Sequence, residues 1–282
     1  MNHKKTWQKL LQISTLLILV LFLTACSSSQ EPLGPNSTGF WDQYILLNLS
    51  RFIIGLSHIL GGNYGIGIIL FTIIVRIILL PLNKIQMDSQ RQMQELQPEL
   101  DAIKAKYPNQ DRESMEKLQE EQLQLMEDRG INQWTSLLPL LIQLPVMMAL
   151  YQSIIRTEAL RQGSFLWVNL GQPDPFFILP IIAAILTLVN TYLTMKSNPS
   201  QNSAMKWTMY FMPLMILFIS VGLPSAITLY LVVSNAFTVI QTLVFNNPYK
   251  IIAEREAKEV AEKAKQRELR RQLRRATGKK KR

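Results

Sequence analysis

The chain has 282 residues, 48% of them hydrophobic and only 18% charged, with a mean hydropathy of +0.10. Soluble domains usually carry about 25% charge, so the composition argues for a membrane protein of several spans and against a soluble enzyme or binding module. A single cysteine and two histidines (His3, His58) exclude a disulfide framework and any multi-cysteine metal site; net charge is +10, with much of the excess at the C-terminus.

Residues 1–25 read as a secretory signal. Lys4, Lys5 and Lys9 form a positive start, and residues 16–23 an apolar stretch too short to span a bilayer. It ends in Leu23-Thr24-Ala25-Cys26, the pattern of a bacterial lipoprotein signal, so the only cysteine is the expected site of lipid (palmitate) attachment and the new N-terminus. The alternative is an ordinary signal peptide or uncleaved anchor. Residues 26–62 read as a polar linker followed by an amphipathic helix. Its apolar positions 41, 45, 49, 52, 53, 56 and 60 follow helical spacing, with Asn48, Arg51 and His58 on the other face. Such a helix suits the outer membrane surface; a buried core helix is the alternative.

Five hydrophobic spans are expected, at 63–82, 134–155, 176–195, 207–221 and 225–245, the last two joined by Gly222-Leu223-Pro224. At about fifteen residues the fourth would cover only about 22 Å of a roughly 30 Å hydrocarbon core. Between the first two lies a cytoplasmic segment, 83–133. Met93, Leu96, Leu100 and Ile103, then Met115, Leu118 and Leu125, predict a helical hairpin, with Pro98 kinking the first arm or starting a new helix. It is either a docking arm or merely a solvated hairpin. Residues 156–175 form an extracellular loop, 196–206 a cytoplasmic one, and 246–282 a basic cytoplasmic tail. Twenty-three Lys and Arg fall on the hairpin side against Arg51, Arg156 and Arg161 on the other, which puts the N-terminus outside and the C-terminus inside.

An ionisable residue inside a span is costly and points to function. The one found is Arg76 in span 1, one turn from Thr72; a snorkelling arginine is the alternative. Polar residues form stripes elsewhere: Gln143 in span 2, Thr187 and Asn190 with Thr191 and Thr194 in span 3, and Tyr230, Ser234, Thr238 and Gln241 in span 5. Singly, each stripe reads as ordinary helix–helix hydrogen bonding. Together they point to a wet, cation-bearing cavity in the inner leaflet. No Asp, Glu, His or Lys falls in a span, and no nucleotide fingerprint, nucleophile–base pairing or metal-ligand cluster is seen. The expectation is therefore a protein that is not an enzyme, with no cofactor and no metal.

Several local patterns are specific: Val75-Arg76-Ile77 with Pro81-Leu82, Pro139-Leu140-Leu141-Ile142-Gln143-Leu144-Pro145, Leu166-Trp167-Val168-Asn169-Leu170 with Pro173-Asp174-Pro175, and Leu229-Tyr230 before Ser234-Asn235. On these the chain resembles the Oxa/Alb/YidC family of membrane protein insertases, in its Gram-positive lipoprotein form. The resemblance implies an all-α membrane protein, with five transmembrane helices around a hydrophilic groove, closed outside, where Arg76 and Gln143 match groove residues. It implies insertion and folding of nascent membrane proteins, alone or beside the Sec translocon. The tail is expected to contact the ribosome, with inner-leaflet lipid as the alternative; no DNA partner is expected. Leu231 departs from the tryptophan many members carry there. Two rivals stand: a small-solute transporter, which solute uptake would reveal, and an assembly factor that needs no polar groove.

Overall fold

The computed structural model describes residues 32–34, 37, 39–109, 111–131, 138–196 and 203–278. The signal segment 1–25 and Cys26 lie outside the described residues. A π-helical turn, Trp41–Leu46, leads into α1 (Leu47–Ile59), followed by α2 (Tyr64–Ile78), α3 (Leu80–Lys106), α4 (Arg112–Asp128), α5 (Leu138–Arg156) and a single turn α6 (Glu158–Arg161). A two-stranded hairpin comes next, β1 (Ser164–Phe165) and β2 (Val168–Asn169), antiparallel with Ser164 opposite Asn169. Then follow α7 (Ile178–Lys196), α8 (Ser203–Val221), α9 (Ser225–Phe245) and α10 (Pro248–Gly278).

By length and hydropathy, α7 and the rod Ser225–Arg275 each suffice to cross a membrane. Trp41–Ile59 and Tyr64–Ile78 pass the same test as a pair, bent by 114°. The chain is thus an all-α membrane protein. Helix α8 has 19 residues, as do α5 and α7, because it begins at Ser203, before the apolar segment 207–221. Its apolar part alone, Met209–Val221, is short.

The chain divides into two units. The first comprises residues 1–80, 134–183 and 216–234. Its core joins Ile53 of α1, Ile68 and Phe71 of α2, Leu150 and Ile154 of α5, Leu160 of α6, Leu170, and Ile227 of α9. The turn from α1 to α2 uses Gly61 and Gly62, both at φ +81°, which a side chain would resist. Asn63 then caps α2, its Oδ1 accepting from the N–H groups of Gly65 and Ile66 at 3.0 and 3.3 Å. Close packing of the two helices depends on Gly67, where a Cβ would lie 2.1 Å from Ser57 Oγ and 2.8 Å from the Ile53 carbonyl oxygen.

The face that the segment 41–60 buries differs from the apolar stripe. Asp42, Leu46, Ser50, Ile53 and Ser57 are buried, whereas Phe52 and Leu60 stay exposed. The reason is polar pairing. Arg156 donates to both carboxylate oxygens of Asp42 at 3.0 and 2.5 Å, Trp41 Nε1 donates to Gln152 at 2.9 Å, and the Ser50 and Thr157 hydroxyls lie 2.8 Å apart.

The second unit comprises residues 81–133, 184–215 and 235–282. Here α3 and α4 form the expected hairpin. Leu96, Leu100 and Met126 make its core, with Met93, Leu125 and Ile131 packed against them. Pro98 sits inside α3 rather than starting a new helix. The interior proline costs about 3 kcal/mol, which burial of Leu96, Leu100 and Ile103 offsets at about 1.5–3 kcal/mol per side chain. Met115, placed by spacing on the apolar stripe, is 49% exposed. Arg129 binds Glu99 at 2.6 Å and Lys106 binds Glu121, so ion pairs tie the arms at both ends. The tail helix α10 starts against neighbours of the same unit: Lys196 Nζ lies 4.1 Å from the Tyr249 ring centre, and Arg91 reaches Glu254 at 3.3 Å.

Candidate polar sites in the membrane helices

Within the first unit, Arg76 occupies the last turn of α2, where the helix dipole favours a cation. The helix breaks after it at Leu79, and α3 restarts at Leu80 with Pro81 in its first turn, a position that tolerates a missing N–H. Arg76 is half-buried and has no carboxylate or hydrogen-bond partner among the described residues. Tyr230 of α9 belongs to the same unit. Gln143 Nε2 donates to the Tyr230 hydroxyl at 2.9 Å, which brings together two residues singled out in spans 2 and 5. Thr72 is fully buried but donates to the Ile68 carbonyl at 2.7 Å, so its hydroxyl is spent within its own helix. Ser234, one turn beyond Tyr230, is buried.

Within the second unit, Asn235 connects α9 to α7. Its Nδ2 donates to Thr187 Oγ1 at 2.9 Å, and its carbonyl accepts from Asn190 Nδ2 at 3.2 Å. Thr191 donates back to the Thr187 carbonyl at 2.9 Å. Thr238 is half-buried, and Gln241 is buried. Asn190 Oδ1, Gln241 Nε2, Asn83 Nδ2 and Gln86 Nε2 are buried polar atoms with no hydrogen-bond partner among the described residues. Native proteins leave few such atoms, and an unpaired one implies water or a ligand. Asn83, Gln86 and Asn235 were absent from the expected set. The signal for the first two was the i, i+3 spacing of amides just past Pro81. For Asn235 it was its place beside Ser234.

No group of three metal-ligating side chains is found among the described residues. The sites offer charge and hydrogen bonds held in otherwise apolar helices, an arrangement suited to receiving polar groups.

Residues 55–254 match the family model described as 60Kd inner membrane protein. The chain belongs to this family. Among its relatives, the Enterococcus faecalis membrane protein insertase YidC is 48% identical over 264 residues, covering 94% of both chains. The Pediococcus pentosaceus protein of the same name is 48% identical over 260 residues, 92% of this chain and 91% of that one. The Bacillus subtilis membrane protein insertase MisCA is 40% identical over 228 residues, 81% and 87% of the two chains. A solved structure, described as an active YidC insertase crystal structure with the first transmembrane domain resolved, matches with a TM-score of 0.59 and 31% identity. The match covers 74% of this chain and 48% of that one, so the chain spans about half the length of the solved protein.

Proposed function

We propose that this member of the 60Kd inner membrane protein family is a membrane protein insertase, which inserts nascent membrane proteins and helps them fold, alone or beside the Sec translocon. The observation that carries the reading is Arg76, a cation in an otherwise apolar helix, in the same unit as the paired Gln143 and Tyr230 and without a carboxylate partner among the described residues. The five hydrophobic segments cross the bilayer with the N-terminus outside, and the polar residues that the first unit holds in its apolar helices, Arg76, Gln143, Tyr230 and Ser234, keep water in the inner leaflet. A client's short external segment then crosses less dry hydrocarbon. Acidic groups in that segment are drawn to Arg76, because attraction between opposite charges 4 Å apart rises from about 1 kcal/mol in water to about 4 kcal/mol at an effective dielectric of 20. Partition of the client's apolar span into lipid completes release. No covalent step is involved and no cofactor is required.

The test compares Arg76→Ala with Arg76→Lys. Arg76→Ala lowers insertion of a client with acidic external residues by roughly fivefold or more, the equivalent of about 1 kcal/mol, and leaves its neutralised version unaffected. Arg76→Lys largely retains activity, since a point charge suffices unless a bidentate fork is needed. The Arg76→Ala protein accumulates normally, because an intramembrane arginine costs about 2.5–3.5 kcal/mol to insert. Normal insertion of the acidic client by a stable Arg76→Ala protein would overturn the electrostatic role.

Cys26 carries a lipid in the mature chain, on the strength of its Leu-Thr-Ala-Cys setting. Cys26→Ala loses fatty-acid label and keeps its signal segment, while the spans hold the protein in the membrane. Unchanged label and mobility would refute the modification.

A further inference from the structure

We propose that the loop formed by residues 164–177 is a rigid wedge seated in lipid, in the leaflet at the N-terminal end of α7, with Leu166, Trp167, Phe176 and Phe177 against the bilayer. With the orientation given above, that leaflet is the outer one. The backbone gives the first reason. Leu166 and Trp167 form the two-residue turn between β1 and β2, and Leu166 has φ +53°. A two-residue turn with positive φ at its first position ordinarily takes glycine there. Phe177 has φ +57°, also in the left-handed region. Both positions carry large apolar side chains where glycine would fit with less strain. Leu166 is nevertheless 73% exposed and Phe177 about half exposed. Neither side chain is fully covered within the fold, so their apolar surface is left to face what lies outside it.

The second reason is how the loop is held. Asp174 is 2% exposed, and its carboxylate gathers three N–H groups: Trp167 Nε1 at 3.0 Å, the Phe176 amide at 3.0 Å and the Leu179 amide at 2.7 Å. The indole of Trp167 and the backbone of Phe176 therefore meet on one oxygen. An interfacial tryptophan usually points its N–H at water or headgroups. Here the N–H is satisfied from within, which frees the ring to enter apolar surroundings without stranding a donor. Beneath these residues the loop is packed solid. Phe165 lies so close to Gly65 that a Cβ there would come within 2.2 Å of its ring, and Val168 and Leu170 are buried in the core of the first unit. The Gln172 carbonyl accepts from both the amide and the hydroxyl of Ser225 at 2.7 Å, and the Leu170 carbonyl from the Ala226 amide at 3.1 Å. A loop pinned in this way presents its apolar tip as a fixed shape.

Lipid is the occupant because the patch continues an apolar span. Phe176 and Phe177 directly precede Ile178, the first residue of α7, a helix long and apolar enough to cross the bilayer. A side chain one residue from such a helix end lies at the membrane boundary, where aromatic residues are enriched.

The experiment uses full-length protein carrying Cys26→Ala, with a nitroxide on Leu166→Cys, on Phe176→Cys, or on the exposed reference Gln162→Cys. Leu166 and Phe176 are mostly exposed, so the substitutions leave the packed part of the loop intact. The proteins are reconstituted at low protein-to-lipid ratio in phosphatidylglycerol–phosphatidylethanolamine vesicles. Collision rates with oxygen, which concentrates in lipid, and with a water-soluble nickel chelate are then measured. The expected result is an oxygen-to-nickel ratio severalfold higher at 166 and 176 than at 162. Equal ratios at all three positions would place the loop in water and overturn the proposal. Exclusion of both reagents with spin–spin broadening would overturn it in favour of a second copy covering the patch. The readout does not depend on insertion activity, so it fails or succeeds apart from the function proposed above.

Discussion

Asp42 and Arg156 carry much of the specificity with which the segment 41–60 is placed. Both are buried, and the guanidinium forks onto the carboxylate. Removing one partner of such a pair typically costs about 3–5 kcal/mol, because the other charge is left buried and uncompensated. Asp42→Ala and Arg156→Ala are therefore expected to lower the unfolding temperature in detergent markedly. Arg156→Lys should recover only part of the loss, since an ammonium cannot reproduce the two-pronged contact. The double variant Asp42→Leu/Arg156→Leu should be more stable than either alanine variant; equal stability of all three would show that the pair does not act as a unit. This interaction was illegible in the sequence, where Arg156 served only to count external charge. Its partner lies 114 residues away, and no local pattern links them. Gln143 and Tyr230 were readable as polar residues in apolar runs, but their mutual hydrogen bond spans 87 residues and needed the fold.

Among the elements, the α3–α4 hairpin was the most legible, because Leu96, Leu100 and Ile103 repeat at helical spacing and all are buried. The second arm was less so: Met126, not Met115, faces the first arm, and adjacent Leu125 and Met126 made the register ambiguous. The hairpin's exposed surface is laced with ion pairs that make it sensitive to pH. Hydrogen bonds from Lys106 and Lys117 hold Glu121 and Glu113 below the usual carboxylate range, and the Ser114 hydroxyl and amide do the same for Asp111 at the α4 N-cap. The unfolded hairpin thus takes up protons at higher pH than the folded one. Its stabilisation by these groups is complete above the ordinary carboxylate value of about 4.3 and is lost as pH falls through the depressed folded values. At the other end, Lys106 and Lys117 are raised, so their contribution holds below about 10.4 and fades above it. Amide protection factors for residues 106–121, measured in the intact protein, should be level from pH 5 to 8 and fall below about pH 4. Glu121→Gln should blunt the fall, whereas protection unchanged at pH 3 would contradict this account.

At the scale of the whole molecule, the tail is the largest basic surface, with fourteen Lys and Arg against five Glu from residue 246 onward. Helix α10 is exposed along most of its length. We propose that it holds the ribosome, and truncation after Lys250 is expected to weaken cosedimentation with ribosomes at low salt, with the difference shrinking as salt rises. Equal cosedimentation of the two forms would leave lipid as the tail's partner. The long apolar helices α7 and α9 were legible from hydropathy, because a bilayer crossing needs about twenty apolar residues. The β1–β2 hairpin was not, since two-residue strands carry no periodicity. The clasp between Asp42 and Arg156 also has a dimension in time. Chains grow at about 5–20 residues per second, so Arg156 is made roughly 6 to 23 seconds after Asp42 across the 114-residue gap. For that interval α1 has no docking partner on α5, and its seating is a late event in the protein's own synthesis. A molecule that assists the biogenesis of other membrane proteins thus leaves one of its own helices waiting for the chain behind it.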